Sequence, residues 1–85
     1  MTRTHRNTVT FTRPFRIGGI DWLQPPGTYP IETDEELIED LSFTAYRRTA
    51  MFIILPGQAG SGILTQTVKI EPAELEAAKA RDAQP

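Results

Sequence analysis

Residues 50–55 read Ala-Met-Phe-Ile-Ile-Leu and form the longest apolar run of the chain. That is far short of the ~20 residues a helix needs to cross a bilayer. The run suits a strand. Phe52 and Ile54 are as apolar as Ile53 and Leu55, so it predicts a strand buried on both faces, with sheet on one side and helix on the other. A chain of 85 residues with no cysteine has little else to build a core around. Disulfide and thiolate chemistry are closed to it, and the single histidine, His5, is too few for a Cys/His zinc site. The reading is one domain over residues 1–85, held by apolar burial, with only roughly 60% of the unfolded surface removed from water. Cores this small often gain stability from self-association, so a homo-oligomer is one expectation.

Residues 8–17 alternate, with Arg13 the exception on the apolar side. Val9, Phe11, Phe15 and Ile17 share one parity, Thr8, Thr10, Thr12 and Arg16 the other. This predicts a half-buried strand, with Pro14 marking an edge or a bulge and Gly18-Gly19 ending it. Pro25-Pro26-Gly27 fits a type II turn. Tyr29 and Ile31 should share a face of the extended segment that follows. Thr33-Asp34-Glu35-Glu36 has the form of a capping box, which predicts a short helix over about 34–41 with Leu37, Ile38 and Leu41 on its buried stripe. Residues 44–55 predict a strand and Ile63–Ile70 its antiparallel return. Gly57, Gly60 and Gly62 lie in the loop between them. Pro72 stands at the first position of a C-terminal helix from about 72, whose Ala- and Glu-rich sequence favours helix. Residues 1–7 and 82–85 read as flexible ends.

Charge is unevenly placed. Residues 1–16 carry Arg3, Arg6, Arg13 and Arg16 with no acid, and residues 17–46 carry seven acids with no base. Arg47-Arg48 follows. Such asymmetry can steer a partner. The plainer expectation is that the basic segments face the acidic one. Met1–Asn7 has positive charge but no apolar stretch behind it, unlike a secretory leader, so the expected location is cytoplasmic.

The residues point to no catalytic, metal or cofactor site. His5 has no partner in sequence that would hold it as a general base. Ser42 and Ser61 lack a nucleophile signature. The acids over Asp34–Asp40 lack the spacing of a calcium loop. The glycines of residues 57–62 lack the Lys-Ser/Thr of a phosphate loop. Arginines interleaved with Phe11 and Phe15 could contact nucleic acid. Arg3, Arg6, Arg13, Arg16, Arg47 and Arg48 are the candidates, though the aromatics read more plainly as core. Trp22 beside a rigid proline turn could anchor an interface or serve as the lid of a small core.

The segments Gln24-Pro25-Pro26-Gly27-Thr28-Tyr29, Thr33-Asp34-Glu35-Glu36-Leu37-Ile38 and Ala45-Tyr46-Arg47-Arg48, in that order, resemble a family of short bacterial hypothetical proteins with a PPGxY turn, an acidic helix start and a YRR element. The resemblance spans most of the chain. It implies a bacterial cytoplasmic domain and carries no assigned activity. It singles out Tyr46, Arg47 and Arg48 as a shared surface. The structural alternative is that Tyr46 packs and Arg47 or Arg48 pairs with Glu36, Glu39 or Asp40.

The combined expectation is an α+β fold: a small antiparallel sheet, rolled or partly closed as a barrel, with two helices. Three function classes follow. The first is a non-catalytic interaction or accessory protein, acting through self-association or a protein partner at Trp22, Tyr46, Arg47 and Arg48. The second is a nucleic-acid binder using the arginines. The third is a small-molecule binder or enzyme with a pocket near Trp22 and Tyr46.

Overall fold

The computed structural model describes residues 2–38, 45–57 and 60–84. Strands β1 (Thr2–Phe11), β2 (Gly27–Ile38), β3 (Ala45–Pro56) and β4 (Thr65–Ile70) form one antiparallel sheet in the order β1-β2-β3-β4. Helix α1 (Pro72–Asp82) follows. The α+β expectation holds. β1 and β4 are the two edges of this ladder, so among the described residues no pairing closes it into a barrel.

Parity decides which residues meet. Val9 lies opposite Tyr29, Ile31 opposite Ile53, and Ile53 opposite Val68. Directly opposed residues of an antiparallel pair point to the same face. Val9, Phe11, Tyr29, Ile31, Met51, Ile53, Leu55 and Ile70 are therefore on one face, and all are buried. Leu75 and Ala78 of α1, with Phe15 and Ile17 of the segment between β1 and β2, complete that core. Among the described residues no helix lies on the second face. Phe52 and Ile54 are only half-buried, which corrects the expectation of a strand covered on both sides. Among the described residues one short helix and one irregular segment supply a single layer, and they lie on the face of Ile53.

Residues 33–38 also depart from expectation. They are the end of β2, not the start of a helix. Residues 39–41 lie outside the described residues. A two-turn helix is marginal on its own, and the capping box is a purely local preference. As strand, Thr33–Glu36 pairs with β1 on one side and β3 on the other. The segment is paired on both edges, and Glu35 and Glu36 come opposite Arg3 and Arg47. A capping interaction does occur, but at α1. There the Glu71 N–H donates to Glu74 Oε1 at 3.1 Å, with Pro72 in the first turn.

The N-terminal stretch changes in the same way. Thr2–Asn7, expected as a loose arm, is the first half of β1, in register with β2 from Thr2–Glu36 to Asn7–Ile31. The strand expected over 8–17 stops at Phe11. Phe15 still joins the core, through an isolated bridge in which Phe15 and Gln24 exchange backbone hydrogen bonds of 3.0 and 2.7 Å. Phe15 stacks on Phe11 with ring centroids 3.8 Å apart and meets Tyr29 edge-on at 5.2 Å. The aromatics are core. Gly27 opens β2 rather than sitting inside a type II turn. The proline segment is held instead by the Tyr29 hydroxyl, which donates to the Pro25 carbonyl. Burial pushes the Tyr29 phenol up, which keeps it a donor.

The tight turn is at Gly18-Gly19. The Ile20 N–H donates to the Ile17 carbonyl, and both glycines have positive φ, 67° and 75°. Gly18 also lies against β4. A Cβ there would stand 2.5 Å from Val68 Cγ1. Its N–H donates to Glu74 Oε2 at 3.2 Å, so the turn ties α1 to the sheet. Gly18→Ala is expected to destabilise the fold by about 1–3 kcal/mol, from left-handed backbone strain together with the overlap on Val68. Urea unfolding of the two proteins measures this, and a variant as stable as the wild type would contradict the packing described.

Candidate functional site

Helix α1 has 11 residues, or about 16 Å of length. β2 and β3 have 12 each, or about 40 Å. The helix cannot cover the sheet end to end. Beyond it the three strands β1, β2 and β3 continue as a polar ribbon made of Thr2–Asn7, Glu32–Ile38 and Ala45–Ala50. β4 opposes only Met51–Pro56, so the stretch Ala45–Ala50 of β3 also leaves its outer edge unpaired among the described strands.

Most of the arginines singled out by sequence converge on this ribbon. Arg3 Nε is 3.3 Å from Glu35 Oε1, and the Arg3 guanidinium sits 3.6 Å above the Tyr46 ring. His5 Nε2 meets the same Glu35 oxygen. On the other face Arg6 pairs with Glu32 at 3.3 Å. Arg47 pairs with Glu36 at 3.5 Å. Arg48 stands opposite Glu35 in the ladder, next to a bulge that sets Asp34 against Ala50 and passes over Thr49. The Thr49 hydroxyl donates to the Asp34 carbonyl there. Basic β1 and β3 thus flank acidic β2, the plainer of the two charge expectations. Such pairs on exposed strands add little stability, but they occupy the charges a partner would otherwise meet. Sequence reasoning missed the His5–Glu35 contact because its partners lie 30 residues apart and it treated His5 as part of a loose arm.

Trp22 and Tyr46 do not share a site. Tyr46 pairs with Leu37 near Arg3, at one end of the sheet. Trp22, half-buried, belongs to the segment that leaves β1 after Phe11, at the other end. The two ends of β1 are roughly 30 Å apart at strand rise. The candidate surface of Trp22, Tyr46, Arg47 and Arg48 therefore divides into two places.

Arg13 and Arg16 lie near Trp22, on the segment after β1. They line a recess of about 350 Å³ with Phe15, Leu23, Arg81 and Asp82. Asp82 anchors it. Its carboxylate accepts from the Thr12 N–H at 3.0 Å, the Arg13 N–H at 2.9 Å and the Thr12 hydroxyl at 3.1 Å. The Thr12 backbone bond is the largest of the effects that hold its carboxyl below the usual range, with the Arg13 bond, the hydroxyl and the Arg13 charge adding to it. The residue expected at the start of a frayed tail instead fastens α1 to the end of β1. A second hollow, about 420 Å³, runs between α1 and the ribbon, with Asn7, Thr33, Arg48 and Lys79 on its rim.

The sheet edges differ in chemistry. β1 brings Arg3, His5 and Arg6 to its edge, and the open part of β3 brings Arg47 and Arg48. β4, Thr65-Gln66-Thr67-Val68-Lys69-Ile70, carries one charge. Leading into it are Ile63, 59% exposed, and Leu64, 89% exposed, the two most exposed large apolar side chains described.

Among the described residues no three His, Asp or Glu side chains are placed to hold a metal ion. No helix there is long and apolar enough to cross a membrane. No protein-family model, curated protein or solved structure matches the chain.

Asp82 has a pH signature. A carboxyl held low in the folded state adds stability above its unfolded pKa and loses it as pH falls through the folded value. Asp82→Asn is expected to lower the unfolding midpoint at neutral pH. The gap to wild type should close in acid, below the usual carboxylate range. Chemical denaturation of both proteins across that range checks this; a gap that does not change with pH would show that the charge is not what anchors the helix.

Proposed function

We propose that this chain is a small non-catalytic interaction protein, and that it acts by self-association through the edge of β4. The observation that carries this is the contrast between edges. An exposed strand edge is a template for another strand, and proteins guard it with charge. β1 and the open stretch of β3 carry such charges. β4 has Lys69 alone, and Ile63 and Leu64 extend it with exposed apolar surface. A twofold axis near Thr67 would set Thr65 against Lys69 and Gln66 against Val68 of a second copy. No like charges face each other in that register. The product is one continuous sheet across two copies, with Leu64 drawn toward the partner. This is an isologous contact, the commonest form of symmetric dimer.

The nucleic-acid reading is weaker. Arg3, Arg6 and Arg47 each already face a β2 carboxylate. The resemblance of the Pro25-Pro26-Gly27, Thr33–Ile38 and Tyr46–Arg48 segments to short bacterial proteins goes with a location in the bacterial cytoplasm.

Sedimentation velocity over a concentration series tests the proposal. Wild type is expected to shift from monomer to dimer as concentration rises. Leu64→Ser with Thr67→Lys should remain monomeric at concentrations where wild type pairs. Its unfolding midpoint should hardly move, because both side chains are exposed and such changes stay within about 0.5 kcal/mol. A wild type that stays monomeric at millimolar concentration overturns the proposal. So does a dimer that survives both substitutions.

A further inference from the structure

The recess at the end of α1 is built differently from the paired charges of the ribbon. Arg3, Arg6 and Arg47 each have a carboxylate within 4 Å. Arg13, Arg16 and Arg81 have none among the described residues, yet they converge on one hollow. The one acid there, Asp82, spends both oxygens on Thr12 and the Arg13 N–H. Its carboxylate fixes the wall of the recess and feels the Arg13 charge, but forms no ion pair within 4 Å with any of the three arginines. Three cations against one committed carboxylate is a surplus of positive charge in a concave site. Concavity focuses that charge. Arg81, in the last turn of α1, also offsets the negative end of the helix.

The rest of the lining is apolar. Phe15 is buried, and Leu23 is 54% exposed beside it. Guanidinium forks match the geometry of phosphate oxygens, and several together suit a dianion better than a monoanion. The volume, about 350 Å³, lies within the range of small-molecule sites and leaves room for more than a bare phosphate.

We propose that this recess binds a small phosphate monoester. Arg13, Arg16 and Arg81 hold the phosphate, and the ester's apolar group lies on Phe15 and Leu23. The site is remote in chemistry and in residues from the β4 edge, and it stands whether or not the chain pairs with itself.

The experiment is a nuclear magnetic resonance titration of the full chain at low salt with three probes: phenyl phosphate, inorganic phosphate and phenol. Phenyl phosphate is expected to give saturable shifts at the Arg13, Arg16 and Arg81 Nε–H groups and at the Leu23 methyls. It should bind more tightly than inorganic phosphate, and phenol should not bind. Arg16→Gln and Arg81→Gln are each expected to weaken phenyl phosphate by about tenfold, the loss of one charge-assisted hydrogen bond. Leu23→Ser should weaken phenyl phosphate and leave inorganic phosphate unchanged. Arg6→Gln, on the far part of β1, should change neither. The proposal is overturned if no probe saturates, or if Arg16→Gln and Arg81→Gln bind like wild type. It is also overturned if Arg6→Gln loses as much as they do, which would mean diffuse attraction and no site, or if Leu23→Ser changes nothing, which would remove the ester from the reading.

Discussion

β2 is bonded on both edges, and the rest of the molecule is arranged around that. β1 follows it from Gly27 to Glu36 and β3 from Ile31 to Ile38. A central strand offers no register freedom, because a slip of one residue would turn Tyr29 and Ile31 out to solvent. The same register places Glu32, Glu35 and Glu36 opposite Arg6, Arg3 and Arg47. Core and charge thus come from one alignment. The uneven charge along the chain, basic then acidic then basic, is what this alignment looks like when written out in order.

The second constraint is length. A helix gains 1.5 Å per residue and a strand more than twice that. α1 therefore covers only the half of the sheet near Ile53 and Leu55. Its apolar stripe is thin, with Leu75 and Ala78 the buried residues. Docking is reinforced at both ends by carboxylates. Glu74 holds the Gly18 N–H near the start, and Asp82 holds Thr12 and Arg13 at the finish. Those bonds fold the segment after β1 back over the core. They also create the recess in which Arg13, Arg16 and Arg81 meet. The feature that seats the helix is therefore also the one that builds the candidate anion site.

Much of this was legible in residue order. The parity of Val9, Phe11, Phe15 and Ile17 marked four side chains that are all buried, even though the strand carrying the first two ends before the others. Tyr29 and Ile31 share the inner face as expected. The pairing of β3 with β4, and the helix opened by Pro72, follow from periodicity and a single proline. The basic-against-acidic expectation for Arg47 is met by Glu36. Residues 33–38 were misread for a reason that is physical. Thr33-Asp34-Glu35-Glu36 satisfies a local rule worth little without tertiary support, and two long neighbours offered the same residues ladder pairing on both edges. Residues 1–7 were read as a flexible end for the same reason, since Glu35, the partner of His5 and Arg3, lies some 30 residues away. The recess was not visible at all: Arg13 and Arg81 are far apart in the chain, and the docking of α1, fastened by Asp82, brings them together.

What the residue order determined by itself is what depends on near neighbours. The alternation of strands, the glycine turn at 18–19, the proline start of α1 and the absence of thiol chemistry all belong there, because each is settled within a few bonds or by composition. What only the tertiary structure decided is what depends on competition between distant segments. Whether residues 33–38 wind or extend, which face of the run at 50–55 is covered, which arginines are neutralised and which gather unpaired in one hollow are set by which distant segments pack together. Local preferences there are smaller than the backbone and apolar contacts that a three-strand alignment supplies.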